Sequence, residues 1–89
     1  MMKPSVTFAE LRQLLLDMGF REVVVPKSHI GFHHDSSGAE LFLPVYRSGQ
    51  IVAPRYLLMV RIMLDAKGLM EADEFDRFVA SSTLKHTAS

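Results

Sequence analysis

A four-residue turn near the middle of the chain limits the fold more than any other feature. Asp35-Ser36-Ser37-Gly38 consists of residues that favour turns, and an extended segment lies on each side of it. Residues 28 to 34 precede the turn and residues 40 to 45 follow it, so we expect an antiparallel hairpin. The β-branched run Val23-Val24-Val25, which ends at Pro26, adds a strand before them. The sequence therefore predicts a three-stranded meander.

A helix is predicted on each side of the meander. Thr7, followed three residues later by Glu10, has the pattern of a capping box, and apolar residues then recur at helical spacing up to a glycine. The first helix is therefore expected at residues 8 to 18. Pro54 suits the first turn of a second helix, which we expect to run to about Lys67.

The last predicted element is a short third helix from about Glu71 to Ala80, followed by a frayed polar tail at residues 81 to 89. The order is then α-β-β-β-α with a short terminal helix, which is an α+β fold formed by one domain at residues 1 to 80. Because two helices flank one three-stranded antiparallel sheet, both should cover the same face and leave the other face open.

Composition and charge limit the functional classes. The chain has 89 residues, of which 48% are hydrophobic, and its formal net charge is zero, so the strong nonspecific grip of a basic protein on nucleic acid is not expected. Without cysteine it has no disulfide framework. No apolar run reaches the roughly 18 residues that cross a bilayer, and the N-terminus lacks a secretory signal pattern, so we expect a cytoplasmic protein with no membrane partner.

Three of the four histidines lie in the second predicted strand, within a span of six residues from His29 to His34. Side chains alternate along a strand, and Ile30 and Phe32 mark the side that faces the core. His29 and His33 are therefore expected on the open face, on either side of Gly31. The missing side chain of that glycine is expected to leave its backbone accessible to a ligand.

Two further interpretations concern the residues around these histidines. The leucines of the third strand are expected to face the core, which turns Phe42 outward, where its ring either stacks on a base or forms a satellite of the core. His33 and His34, followed by Asp35, have the composition of a metal site. Neighbours on a strand point to opposite faces, however, so no metal site is predicted there, and the two histidines are expected to be solvent-exposed residues that flank the turn.

The order and boundaries of these elements resemble the HicA toxins, also called YcfA-like proteins. Members of this family are small messenger RNA interferases with a double-stranded-RNA-binding-domain-like fold of order α-β-β-β-α. The resemblance covers about residues 7 to 70. It rests on Gly19-Phe20 after the first helix, Ser28-His29 opening the second strand, Pro44 late in the third strand, and Gly68-Leu69 after the second helix.

The resemblance implies that His29 matches the catalytic histidine of the family's Gly-Ser-His motif. That histidine would act as general base or acid on a ribose 2′-hydroxyl that attacks the neighbouring phosphate, which needs neither a metal nor another cofactor. His33 is a second candidate for proton transfer. The RNA-binding residues expected around them are Lys27, Ser28, His33, Phe42, Arg47 and Arg55. The implied partners are messenger RNA and a HicB-like antitoxin protein that covers this face.

A noncatalytic module that keeps the fold and binds RNA or another protein is the alternative. Three features favour it: Lys27 stands where the family motif has glycine, Tyr46 stands where the family frequently has a histidine after Pro-x, and the net charge is zero. Whether the chain is an enzyme, a metal-independent endoribonuclease, therefore stays open between the two hypotheses.

The second predicted helix is apolar on all sides. The nine residues from Tyr56 to Leu64 contain one charge and no continuous polar face, so something besides the sheet should cover them. Phe75 and Phe78 of the terminal helix could fold back over this segment. The alternative is a self-association or partner surface, which methionines suit because they repack easily.

Overall fold

The computed structural model describes residues 3–26 and 29–87. Within these ranges the elements follow the predicted α+β order. They are α1 (Phe8–Asp17), β1 (Arg21–Val25), β2 (His29–His34), β3 (Ala39–Pro44), α2 (Pro54–Ala66) and α3 (Ala72–Thr87).

The three strands form one antiparallel sheet in the order β1-β2-β3, so β2 is the central strand. Its first residue, His29, pairs with Val25 on one side and with Pro44 on the other. The predicted turn joins β2 to β3, and the N–H of Gly38 donates to the carbonyl of His34 at 2.9 Å. Gly38 has a φ of +74°, a conformation that glycine adopts without steric cost.

The helices cover one face of the sheet, as predicted. Alternate residues of β2 and β3 point toward them, and Phe32, Leu41 and Leu43 are almost completely buried. They pack against one side of α1 and of α2. The helical residues of this core are Phe8, Leu11, Leu15, Leu57, Val60 and Leu64. Apolar burial between the two layers is thus the main stabilising contribution of the fold.

Helix α1 begins with the predicted capping box. The Thr7 hydroxyl accepts a hydrogen bond from the Glu10 N–H at 3.2 Å, and the Glu10 carboxylate accepts one from the Thr7 N–H at 2.9 Å. Two of the backbone N–H groups that a helix start leaves without partners are satisfied in this way.

Helix α3 is longer than the sequence predicts. The predicted end near Ala80 is wrong, because α3 continues to Thr87. The segment from 81 to 87, predicted as part of a frayed polar tail, is therefore helical, and residues 88 and 89 lie outside the described residues. The physical reason is that two small polar residues of this segment, Ser82 and Thr83, are buried inside the fold.

Thr83 and His86 attach α3 to the first helix and to the segment before it. The Thr83 hydroxyl donates to the Val79 carbonyl at 2.7 Å and accepts from the Ser5 N–H at 2.9 Å. Near the end of α3, Nε2 of His86 lies 2.9 Å from a carboxylate oxygen of Glu10. Hydrogen bonds and partial burial therefore keep the polar end of this helix in place.

Helix α3 also packs against α2. Phe75 is buried at this contact, and the guanidinium of Arg61 donates two hydrogen bonds, at 2.8 and 3.2 Å, to the carboxylate of Asp76. The terminal helix thus covers one side of α2, as one of the two alternatives predicts, while Leu58 and Ile62 stay exposed. In the part of the chain that the structure describes, no helix is long and apolar enough to cross a membrane.

Candidate functional site on the open sheet face

The face of the sheet opposite the helices, here called the open face, consists of three rows of residues. Cross-strand partners point to the same face, so the register defines the rows. They are Val25-His29-Pro44, Val23-Gly31-Phe42 and Arg21-His33-Glu40. His29 therefore lies at one end of the open face, a charged row lies at the other end, and an apolar row separates them.

His29 is exposed at the start of the central strand. Its position on the open face agrees with the alternation of the sequence. The two predicted site residues before it, Lys27 and Ser28, lie outside the described residues.

Phe42 is turned outward, as predicted, and is 47% exposed. It is a diagonal neighbour of His29 on the open face, because His29 pairs with Pro44, two residues along β3. Backbone positions with this relation are roughly 7 to 8 Å apart. An exposed histidine and an exposed aromatic ring thus lie within reach of one nucleotide or one partner side chain.

Gly31 is buried, which corrects the expectation that its backbone is accessible to a ligand. A Cβ placed on Gly31 would lie 2.6 Å from Cγ2 of Val23 and 3.2 Å from Cε1 of Phe42. Side chains from both neighbouring strands therefore lean over the glycine and fill the space that its missing side chain leaves. This is the arrangement in which an aromatic ring protects a strand glycine.

His33 lies beside two carboxylates at the other end of the open face. Its Nε2 lies 3.1 Å from a carboxylate oxygen of Asp35, and its Nδ1 lies 3.8 Å from one of Glu40. The guanidinium of Arg21 also donates to Asp35, at 3.2 to 3.3 Å. This hydrogen bond, aided by the charge of Arg21, lowers the pKa of Asp35. The sequence predicts Asp35 only as a turn residue, because its pairing with Arg21 follows from the register of the strands.

The structure does not bring His33 next to His29. Three residues of extended strand lie between them, so their backbone positions are about 13 Å apart. The reacting atoms of one phosphodiester lie much closer together than this, and carboxylates already engage the His33 ring on both sides. The role of His33 as a second proton-transfer group on the same phosphate is therefore unsupported by the geometry.

His34 points to the helix-covered face, as the alternation predicts. It is only 8% exposed, which corrects the expectation of a solvent-exposed residue beside the turn. Its Nε2 lies 3.1 Å from the carbonyl of Met18, so this nitrogen donates, because a carbonyl only accepts. Its Nδ1 then accepts from the Ser37 hydroxyl at 2.8 Å and from the Ser37 N–H at 3.3 Å. The ring centroid lies 5.0 Å from that of Phe20. His34 is thus a structural residue that joins the end of α1 to the β2–β3 turn.

The two predicted arginines are not members of the three rows of the open face. Arg47 is exposed in the loop after β3, where its backbone N–H donates a hydrogen bond to the side-chain oxygen of Gln50 at 2.6 Å. Arg55 is exposed in the first turn of α2, with its guanidinium carbon 5.1 Å from the centroid of the Tyr56 ring, a cation–π contact.

Tyr46, which follows β3, is partly buried rather than part of the open face. Its ring stacks on Phe8 with centroids 5.9 Å apart, and its hydroxyl accepts a hydrogen bond from the Ala53 N–H at 3.2 Å. In the described ranges, no group of three or more histidine, cysteine or acidic residues is arranged to hold a metal ion.

A scan of protein-family models, a search of curated proteins and a search of solved structures each found no match to this chain. Fold and site therefore define a class by geometry alone. It is a small α+β domain with one helix-covered and one open sheet face, and the open face carries an exposed histidine beside an exposed aromatic ring.

Proposed function

We propose that this chain is a HicA-like RNA-cleaving domain with a double-stranded-RNA-binding-domain-like fold, and that His29 is its acid–base residue. The observation that carries the proposal is the position of His29. It is exposed at the first position of the central strand, on the face that the helices leave open, in a chain of order α-β-β-β-α.

The proposed reaction is the internal transesterification of RNA. A base takes the proton of a ribose 2′-hydroxyl, and the 2′-oxygen attacks the adjacent phosphorus. The bond to the 5′-oxygen of the next nucleotide breaks, and that oxygen takes up a proton. The products are a 2′,3′-cyclic phosphate and a free 5′-hydroxyl. Imidazole suits these proton transfers because, as a residue type, it exchanges protons near neutral pH.

The surroundings of His29 suit a single-stranded substrate. The exposed ring of Phe42 offers a stacking surface for one base, and stacking of this kind is worth about 1 to 3 kcal/mol per base. Lys27 and Ser28 immediately precede His29 in the chain, and Lys27 is the proposed phosphate contact. A HicB-like antitoxin would inhibit the domain by covering the open face.

The proposal is tested by induced expression in bacteria, with growth and cleavage of total messenger RNA followed together. Wild type is expected to arrest growth and cleave RNA, and His29→Ala to reduce cleavage by about 10² to 10⁴-fold. Cleavage by the purified wild type should persist in a chelator and leave cyclic phosphate ends.

His33→Ala is the matched control for this experiment, because it removes a histidine from the same strand and the same face. It should cleave like wild type, since His33 lies in the network of Arg21 and Asp35. A folded wild type that cleaves no RNA, or a His29→Ala variant as active as wild type, would refute the catalytic assignment.

One observation favours a noncatalytic binding module as the second candidate function. Among the described residues of the three rows, the only cation is Arg21, and it is paired with Asp35, so the open face has little attraction for phosphate. The apolar row with Val23 and Phe42 would then bind a protein or RNA bases. In that case Phe42→Ala weakens binding, and His29→Ala has no effect on RNA integrity.

A further inference from the structure

Helix α2 has an apolar cluster on the side that faces away from the core. Leu58, Met59 and Ile62 are 52%, 36% and 57% exposed, although they lie in the middle of a helix whose opposite side is buried. They border an open groove together with Arg55 and Met63. A cluster of exposed apolar residues on a small domain indicates a contact surface. We call Leu58, Met59 and Ile62 the α2 patch.

Residues of opposite charge lie at the two ends of the α2 patch. Arg55 lies about one turn before Leu58, Asp65 lies about one turn after Ile62, and both charged residues are exposed. Their separation along the helix axis is about 15 Å, so the two charges do not pair within one copy. Position 60 is the midpoint between Arg55 and Asp65, and it is also the midpoint between Leu58 and Ile62.

A twofold axis at this shared midpoint makes the surface complementary to itself. When two α2 helices pack antiparallel around the axis, Leu58 of one copy lies opposite Ile62 of the second copy. Arg55 then lies opposite Asp65 of the second copy, and the two Met59 side chains meet beside the axis. Every contact between two different residues occurs twice, which is the property of an isologous interface.

We propose that α2 is the contact surface of a homodimer, in which two copies pack antiparallel through the α2 patch and Arg55 of each copy pairs with Asp65 of the other. The 13-residue helix is about 20 Å long. A contact through one side of this helix in each copy buries less than the roughly 1,200 Å² of total surface that is typical of stable interfaces. The dimer is therefore expected at protein concentrations on the order of tens of micromolar. The open face stays free in both copies, because α2 lies on the other side of the sheet.

Sedimentation equilibrium of the full chain, from about 1 to 500 µM, tests this proposal. Wild type should change from monomer to dimer within this range. Ile62→Lys should raise the dissociation constant at least about tenfold, because it places a charge at the centre of the contact. The substituted side chain is exposed, so the variant should fold normally, which circular dichroism checks.

Val24→Lys is the matched control, since it adds the same side chain at an apolar position that is fully exposed, on the edge strand β1. It should dimerise like wild type. Loss of the dimer in Val24→Lys but not in Ile62→Lys would place the contact at the sheet edge and overturn the proposal. A wild type that stays monomeric throughout the range would do the same.

Charge reversal tests the orientation of the pair. Arg55→Asp and Asp65→Arg should each weaken the dimer about three- to tenfold, because like charges then meet at both ends. The double variant should return to wild-type affinity. Arg55→Asp places a negative charge near the start of α2, and Asp65→Arg places a positive charge near its end. Both charges are favourable with the helix dipole, so the variants should not destabilise α2. A double variant no more dimeric than the two single variants would exclude the antiparallel pairing.

Discussion

The two faces of the sheet use the same residue types for different purposes. On the helix-covered face, Phe32 is 1% exposed and His34 has both ring nitrogens hydrogen-bonded. On the open face, Phe42 is 47% exposed and His29 is exposed. The difference shows that the position of a residue along its strand, rather than its type, decides whether it stabilises the fold or is presented to a partner.

The largest expected contrast concerns the two phenylalanines. Phe32→Ala should lower the free energy of unfolding by about 3 to 5 kcal/mol, because it leaves a cavity in the core. Phe42→Ala should lower it by about 1 kcal/mol or less, since much of that ring is already in contact with water. Urea denaturation of both variants measures the difference. Equal losses would mean that the open face is part of the packed core.

The next contrast concerns two adjacent histidines. His34→Ala should lower the free energy of unfolding by about 1 to 3 kcal/mol, because the Met18 carbonyl and the groups of Ser37 lose their buried partner. His33→Ala should change it by less than about 1 kcal/mol, because the carboxylate of Asp35 that it contacts is exposed and pairs of this kind at the surface contribute little. A larger loss from His33→Ala would contradict the assignment of the two faces.

The alternation of the sequence was sufficient to predict which histidine lies on which face. A strand has only two faces, and Ile30 and Phe32 identify the one that is buried, so the positions of His29, His33 and His34 follow. The same alternation along β3 predicts that Phe42 points outward, and the structure confirms it. The cover over Gly31 did not follow, because it depends on how side chains from two other strands lean, which only the register of the sheet determines.

The length of α3 was also beyond sequence reasoning. Ser82 and Thr83 have the composition of a polar tail, and residues of this kind are usually solvated. What holds the helix is the hydrogen bond between Thr83 and the N–H of Ser5, 78 residues earlier in the chain, together with the contact between His86 and Glu10. Contacts at such separation leave no periodic pattern in the local sequence.

A third contrast tests whether Gly31 is covered on the open face. Gly31→Ala should lower the free energy of unfolding by about 1 kcal/mol and shift the Phe42 ring, because the new methyl group meets Val23 and Phe42. Gly49→Ala is the control, since a Cβ at Gly49 meets nothing within 4 Å, and it should change stability by less than about 0.5 kcal/mol.

Urea denaturation and the nuclear magnetic resonance signals of the Phe42 ring measure these effects. Val23→Ala combined with Gly31→Ala should recover part of the loss, because the closest contact is removed. A Gly31→Ala variant as stable as Gly49→Ala, with unchanged Phe42 signals, would mean that the glycine is not covered.

The smallest expected contrast concerns a carboxylate on each side of the sheet. Partial burial alone would raise the pKa of Glu10, but hydrogen bonds from the Thr7 N–H, from His86 and from the Thr7 hydroxyl lower it below the ordinary value of 4.5. A carboxylate whose pKa is lowered by folding stabilises the protein above about pH 4.5, and this contribution is lost as the pH falls through the folded-state pKa.

Glu10→Gln keeps the capping geometry but removes this titration. Between about pH 6 and pH 3, the free energy of unfolding should therefore fall less in Glu10→Gln than in wild type, by under about 1 kcal/mol.

Asp35→Asn is the control on the open face. The hydrogen bond from Arg21 also lowers the pKa of Asp35, but that carboxylate is fully exposed, and solvent screens the interaction. Urea denaturation over this pH range should thus show a smaller change for Asp35→Asn. An equal or larger change would mean that the open face contributes as much to acid stability as the contact between α1 and α3.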